Sequence, residues 1–132
     1  MDKKDLQKRF KLLAVKTAKL CLRLPYNHVN KVYIDHVVRS SASSGANYRA
    51  ACRPKSKPDF INKLKMVEEE MDETMFFYEM LAEFNPDSKK EFRELYREAN
   101  ELLSIIVASI NTANSNMLKE NSKKIRNQKS EI

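Results

Sequence analysis

The chain has 132 residues, enough for one hydrophobic core but hardly for two. It is 42% hydrophobic and 33% charged, and one Gly and four Pro leave few turn-forming residues for an all-β fold. It contains no apolar run of about 18 residues and no apolar signal-peptide core near its start, so we expect a soluble, cytoplasmic protein.

The formal net charge of +7 is unevenly distributed along the chain. Residues 1–25 sum to +6 and residues 26–57 to +5, whereas residues 58–86 sum to −6. Such asymmetry suits an anionic partner such as nucleic acid. It equally suits an assembly in which the basic face of one subunit meets the acidic face of another.

Apolar residues in steps of four and three predict the first two helices, over residues 4–24 and 30–53. The first row is Leu6, Phe10, Leu13, Thr17, Leu20 and Leu24. The second row is Ile34, Val38, Ser41, Gly45, Tyr48 and Cys52. Pro25 separates the two helices, and either Asn27 or Asn30 can cap the second, with Asn30 fitting slightly better.

The serine-rich stretch around the only glycine resembles a loop in composition, but the second row passes through it without a change of phase. Small residues at core positions allow a neighbouring helix to approach closely. We therefore predict a continuous helix with close packing at Ser41, Gly45 and Tyr48. The alternative is a break near Gly45, where glycine costs a helix about 1 kcal/mol relative to alanine.

Two further helices are predicted over residues 57–84 and 88–118, the third capped by Ser56 with Pro58 in its first turn. Residues 119–132 form a polar, basic tail that we expect to be frayed or disordered. Residues 1–118 thus predict one all-α domain. Four long helices with short turns favour an antiparallel up-down-up-down four-helix bundle.

Residues for catalysis or metal binding are sparse. Neither His28 nor His36 follows a Glu by three residues, and Cys21 and Cys52 match no metal-binding or redox spacing. We therefore predict no enzyme activity, no metal and no cofactor. The least favoured alternative is an enzyme with an intersubunit pocket around His36 and Glu70. Glu70 belongs to the acidic run of residues 68–73 in the third helix, and it is the carboxylate of that run nearest the inner face of the helix.

Basic side chains are the strongest functional candidates, because their density can hold a phosphate backbone without reading sequence. The predicted nucleic-acid-binding residues are Lys8, Arg9, Lys16, Lys19, Arg23, Arg39, Arg49, Arg53, Lys55 and Lys57. The alternative is a solvated surface with ion pairs to the acidic third helix. No base-reading motif is present.

A family resemblance is carried by the stretch VVRSSASSGANYRAACRPKSKPDFINKLKMVEEEMDET, residues 37–74. It is similar to the four-helix-bundle proteins known as 23S ribosomal RNA intervening-sequence, or S23-like, proteins. Within it the family pattern is matched by Arg39, Ser40, Ser43, Gly45, Ala46, Asn47, Tyr48, Arg49, Ala51, Ser56, Lys57, Asp59, Phe60, Lys63, Glu70, Asp72, Glu73 and Thr74. The chain departs from the pattern at Ala50, where relatives carry Glu, and at His36, where they carry Gln.

The resemblance implies a left-handed bundle that assembles into a homopentameric ring without enzymatic activity. It places possible subunit contacts at Asn47, Arg49, Glu70 and Glu73. Some members are encoded within ribosomal RNA genes, and distant relatives are accessory proteins of diversity-generating retroelements that bind a reverse transcriptase and nucleic acid. We therefore expect a homo-oligomeric nucleic-acid-binding or adaptor protein, with RNA as the favoured ligand. The alternative is a structural or protein-interaction module whose basic and acidic faces pair between subunits.

Overall fold

The computed structural model describes residues 1–130 and contains four α-helices and no strand in that part of the chain. They are α1 (Lys3–Leu22), α2 (His28–Ala51), α3 (Lys57–Phe84) and α4 (Lys89–Ser130), with a short 3-10 turn at Pro86–Ser88. The prediction of an all-α fold with four helices is confirmed. None of the helices in residues 1–130 is long and apolar enough to cross a lipid bilayer.

Side-chain caps fix where the helices begin. Ser56 caps α3, as predicted, by accepting a hydrogen bond from the backbone nitrogen of Asp59 at 3.1 Å. The preferred cap of α2 is wrong: Asn27, not Asn30, is extended and accepts from the backbone nitrogen of Asn30 at 2.8 Å. Asn30 lies within the helix, where its side chain is buried.

The core lies between all four helices: α3 packs closely against α2 and α4, and α1 packs mainly along α2 and more loosely against α4. Its largest fully buried side chains include Phe10, Tyr78 and Phe92. Burying these side chains is the main favourable contribution to folding. The helices are therefore held chiefly by apolar contact.

Three buried polar pairs join different helices within this core. The hydroxyls of Thr17 and Tyr78 lie 2.6 Å apart, and those of Ser40 and Thr74 lie 2.8 Å apart. The amide of Asn30 exchanges two hydrogen bonds with that of Asn85 just after α3. Because an unpaired buried polar group is costly, these pairs favour one register of each helix against its neighbour.

The buried face of α2 differs from the row predicted by the sequence. Four members of that row are only half-buried: Ile34, Val38, Gly45 and Cys52. The buried positions are Asn30, Val37, Ser40, Ser41, Ser44, Tyr48 and Ala51. The difference arises because α2 lies between α1 and α3 and buries two adjacent rows, whereas the prediction assumed one.

Helix α4 continues as a helix to Ser130, well beyond the predicted end at residue 118. The expectation of a frayed or disordered tail differs from the structure over residues 119–130, and the last two residues of that tail lie outside the described residues. No Gly or Pro follows Pro86, so nothing in this segment breaks a helix. From Asn114 onwards only Met117 is even half-buried among the described side chains, so this part of α4 is a solvated extension.

Candidate functional site

A groove of about 540 Å³ between α1 and α2 brings four cations together. Lys4, Lys8 and Lys11 of α1 line it, facing Arg49 near the end of α2. All four side chains are exposed, and none makes an ion pair to any residue in 1–130. We call these four residues and the floor between them the basic groove.

Helix geometry places the three lysines on one side of α1. At 100° per residue, positions 4, 8 and 11 fall within an arc of about 60°, well away from the centre of the face that buries Leu6 and Phe10. Lys4 and Lys11 were not among the predicted residues. Their spacing of four and three residues around Lys8 is the signal in the sequence that identifies them.

The floor of the basic groove is made of small side chains. Ala14 of α1 faces Ala42, Gly45 and Ala46 of α2. A Cβ atom added to Gly45 would lie 3.5 Å from the Cβ of Phe10, which is an ordinary van der Waals contact. Small residues thus let α1 lie close to α2 and keep the floor open, as the predicted packing at this position requires.

Arg9, one of the predicted phosphate-binding residues, does not line the basic groove and is held by carboxylates of α4. Its Nε donates to the Oε2 atom of Glu98 at 3.0 Å, and its Nη2 lies 3.3 Å from Oε1 of Glu101. The hydrogen bond to Glu98, with the charge of both carboxylates, raises the pKa of Arg9 against the opposing effect of burial. Arg9 therefore joins α1 to α4.

Three more of the predicted cations are also ion-paired. Arg23 lies 3.4 Å from Oε2 of Glu91, and Arg39 donates to Oε1 of Glu73 at 2.9 Å. Lys57 pairs with Glu120. The six predicted cations without an ion pair in the described part of the chain are Lys8, Lys16, Lys19, Arg49, Arg53 and Lys55.

The predicted lysines of α1 lie on two different sides. Lys16 and Lys19 line a second groove of about 370 Å³, between α1 and α4, together with Glu91, Glu94 and Glu98. These carboxylates offset the positive charge, so this groove is a poorer site for an anion. Only Lys8 of the predicted α1 residues lies in the basic groove.

A polar cluster lies between α2 and α3. The Nδ1 atom of His36 is 3.5 Å from Oε1 of Glu73, and its ring stacks on Phe77 with centroids 4.7 Å apart. The Oε2 atom of Glu70 is buried without a hydrogen-bond partner in the described part of the chain. Burial, and then the charge of Glu73, raises the pKa of Glu70, while the charge of Arg39 opposes the shift.

The four predicted subunit-contact residues do not form one site within this chain. The side-chain nitrogen of Asn47 donates to the backbone oxygen of Ser43 at 3.0 Å, within its own helix. Arg49 faces the basic groove, whereas Glu70 and Glu73 belong to the α2–α3 cluster. In the described part of the chain no group of three or more His, Cys, Asp or Glu is arranged to hold a metal ion.

Comparison with known proteins identifies relatives of this chain. A family model described as 23S rRNA-intervening sequence protein matches residues 3–108. The crystal structure of a protein of unknown function of the S23 ribosomal protein family, from Bacteroides thetaiotaomicron VPI-5482, is similar with a TM-score of 0.73 and 26% identity. The match covers 84% of this chain and 99% of that one. A search of curated proteins finds no match.

These matches confirm the resemblance carried by residues 37–74, and the family model covers α1, α2, α3 and the first half of α4. The family model ends at residue 108, so the exposed second half of α4 lies beyond the matched region. The chain belongs to the 23S rRNA-intervening sequence protein family.

Proposed function

We propose that this protein is a non-catalytic nucleic-acid-binding protein that acts as a homo-oligomer and holds RNA at the basic groove. The observation that carries the proposal is the convergence of four exposed, unpaired cations in that groove, as judged within residues 1–130. Lysine and arginine side chains in such an array bind phosphates and release counterions, without selecting a sequence. The family description, which refers to 23S rRNA, supports RNA as the ligand.

The proposed assembly follows from the resemblance to the family. It comprises an antiparallel, left-handed, up-down-up-down bundle, five copies of which form a ring in the cytoplasm. A ring needs a contact between two different faces of the subunit. In the distant relatives the partner is a reverse transcriptase, so an adaptor role that joins RNA to a protein belongs to the same proposal.

Fluorescence anisotropy with a labelled single-stranded RNA of about 20 nucleotides tests the binding function. The test variant carries Lys4→Gln, Lys8→Gln, Lys11→Gln and Arg49→Gln, which remove four charges from the groove. At 50 mM salt we expect its affinity to be at least about tenfold weaker than that of the wild type.

The matched control carries Lys65→Gln, Lys89→Gln, Lys90→Gln and Arg93→Gln, all exposed positions outside the groove. It loses the same charge, so we expect it to bind within about twofold of the wild type. Equal weakening of both variants would show that only overall charge matters. Absence of wild-type binding at micromolar protein and low salt would refute the proposal.

A protein-interaction module is the second candidate, and the outer face of α3 favours it. Met66 and Phe76 are 47% and 52% exposed, and they share an arc of about 80° with Glu69. This acidic face with apolar side chains complements the basic groove with its small apolar floor. In this alternative a second copy of the chain inserts this face into the basic groove, so RNA would not bind there. Phe76→Lys would then break the contact and reduce the mass in solution to that of a monomer.

A further inference from the structure

The last turns of α4 carry a run of cations outside the basic groove. We call residues 119–130 the α4 extension. The segment contains five cations and one acid: Lys119, Glu120, Lys123, Lys124, Arg126 and Lys129. At 1.5 Å per residue it is about 18 Å long, and it lies entirely beyond residue 108, where the family match ends.

Contacts place the α4 extension at the same end of the molecule as the basic groove. Lys57, at the start of α3, pairs with Glu120 and lines a cavity of about 450 Å³ with Met117. The start of α3 follows the end of α2 after a turn of a few residues, and Arg49 lies in the last turn of α2. Arg49 in turn faces Lys4, near the start of α1.

Four of the five cations of the α4 extension are arranged along one side of the helix, and Lys124 lies on the other side. At 100° per residue, Lys119, Arg126 and Lys129 fall within an arc of about 80°, which also includes Ser122. Lys123 lies about 40° beyond this arc. The arrangement is a stripe of donors about 15 Å long, which suits a chain of phosphates better than a single anion.

The apolar content of the extension argues against two other occupants. Ile125, 54% exposed, is the only large apolar side chain in residues 119–130, and Leu118, 67% exposed, immediately precedes the extension. A helix that lies in a membrane surface, or in a coiled coil, needs a continuous apolar face. Two side chains seven residues apart do not provide one.

We propose that the α4 extension is a second phosphate-binding element, which grips a nucleic acid strand beyond the basic groove. This inference rests on the proposed function, because it assigns an additional contact to the same ligand. The extension increases the number of phosphates that the protein contacts, and so makes binding both tighter and more sensitive to salt than binding by the groove alone.

The test compares full-length wild type with a variant carrying Lys119→Gln, Lys123→Gln and Lys129→Gln. The measured quantity is the slope of log K against log salt concentration, for the same 20-nucleotide RNA. Each lost phosphate contact on a single strand reduces the slope by about 0.7, so we expect a reduction of about 2. The corresponding Lys→Arg variant keeps the charge and should retain the wild-type slope.

A control with Lys65→Gln, Lys89→Gln and Lys90→Gln removes the same charge from other exposed sites and should leave the slope unchanged. A wild-type slope in the extension variant, with RNA still bound, would overturn this inference and leave the groove intact. If the wild type binds no RNA, the proposed function itself fails. Stronger binding to phosphatidylserine vesicles than to RNA would also overturn the inference, in favour of a membrane surface.

Discussion

Asn30 and Asn85 show how single polar residues fix the contact between α2 and the end of α3. Their amides exchange hydrogen bonds of 2.9 and 2.8 Å, and both side chains are buried. Each amide also donates to a backbone oxygen, that of Pro25 or of Leu81. A fully satisfied buried pair of this kind stabilises one arrangement and penalises any other.

Replacing one partner tests this role. In Asn30→Ala the amide of Asn85 loses its partner inside the protein, and we expect a loss of about 1 to 3 kcal/mol in the free energy of unfolding. Urea denaturation gives the value. The control Asn111→Ala, on the exposed side of α4, should change it by less than about 0.5 kcal/mol. A comparable loss in both variants would contradict the assigned role.

Gly45 allows a test of how much of the close packing requires glycine. The site is helical, and an added Cβ would meet the Cβ of Phe10 at 3.5 Å without a clash. We therefore expect Gly45→Ala to increase the free energy of unfolding by about 1 kcal/mol, through helix propensity alone. Gly45→Leu should be destabilising because its larger side chain must displace α1. Destabilisation by alanine would mean that the two helices tolerate no added atom.

Glu70 makes stability depend on pH in a direction that follows from its raised pKa. A carboxyl group with a higher pKa in the folded state binds more protons there, so stability falls as pH rises from the ordinary value of 4.5 through the raised value. Below that window both states are protonated and the penalty is absent. Glu70→Gln should therefore stabilise the protein at pH 7 but not at pH 3.5. Urea melts at both pH values measure this, and exposed Glu69→Gln should show no such difference.

At the scale of helices, sequence periodicity predicts elements that bury a single row. In α3 and α4 the same steps of three and four residues join Leu64 to Val67 and Leu102 to Ile106, and all four side chains are fully buried. The buried face of α2 differs from the predicted row because both α1 and α3 cover it. This arrangement is seen only in the assembled fold. Ion pairs between helices could not be predicted from the sequence either. Arg9 and Glu98 are 89 positions apart, and nothing local in the sequence links them.

The second half of α4 should be separable from the bundle. The last buried residue of α4 is Ile110, so Ser122→Pro should end the helix early and lower the free energy of unfolding by at most about 1 kcal/mol, including any loss of the exposed Lys57–Glu120 pair. Far-UV circular dichroism should show the loss of roughly ten helical residues. The matched Ser104→Pro, within the bundle, should cost about 3 kcal/mol or more. Unfolding of the whole chain by Ser122→Pro would contradict this independence.

Over the whole molecule, internal ion pairs divide the cations into structural and available groups. Arg9, Arg23, Arg39 and Lys57 bind carboxylates of other helices, while the four cations of the basic groove have no such partner within residues 1–130. The sequence predicts a basic surface of ten residues, of which the fold pairs four with carboxylates and places only Lys8 and Arg49 in the basic groove. Which lysines remain available depends on where α3 and α4 bring their carboxylates, and this is a property of the fold.

The most direct test of phosphate binding is the salt dependence of wild-type affinity for a single-stranded RNA, measured by anisotropy between 50 and 200 mM salt. Four phosphate contacts in the basic groove predict a slope of log K against log salt of about −3, and a steeper slope if the α4 extension also binds. A slope near zero, or no binding even at 50 mM salt, would contradict the account.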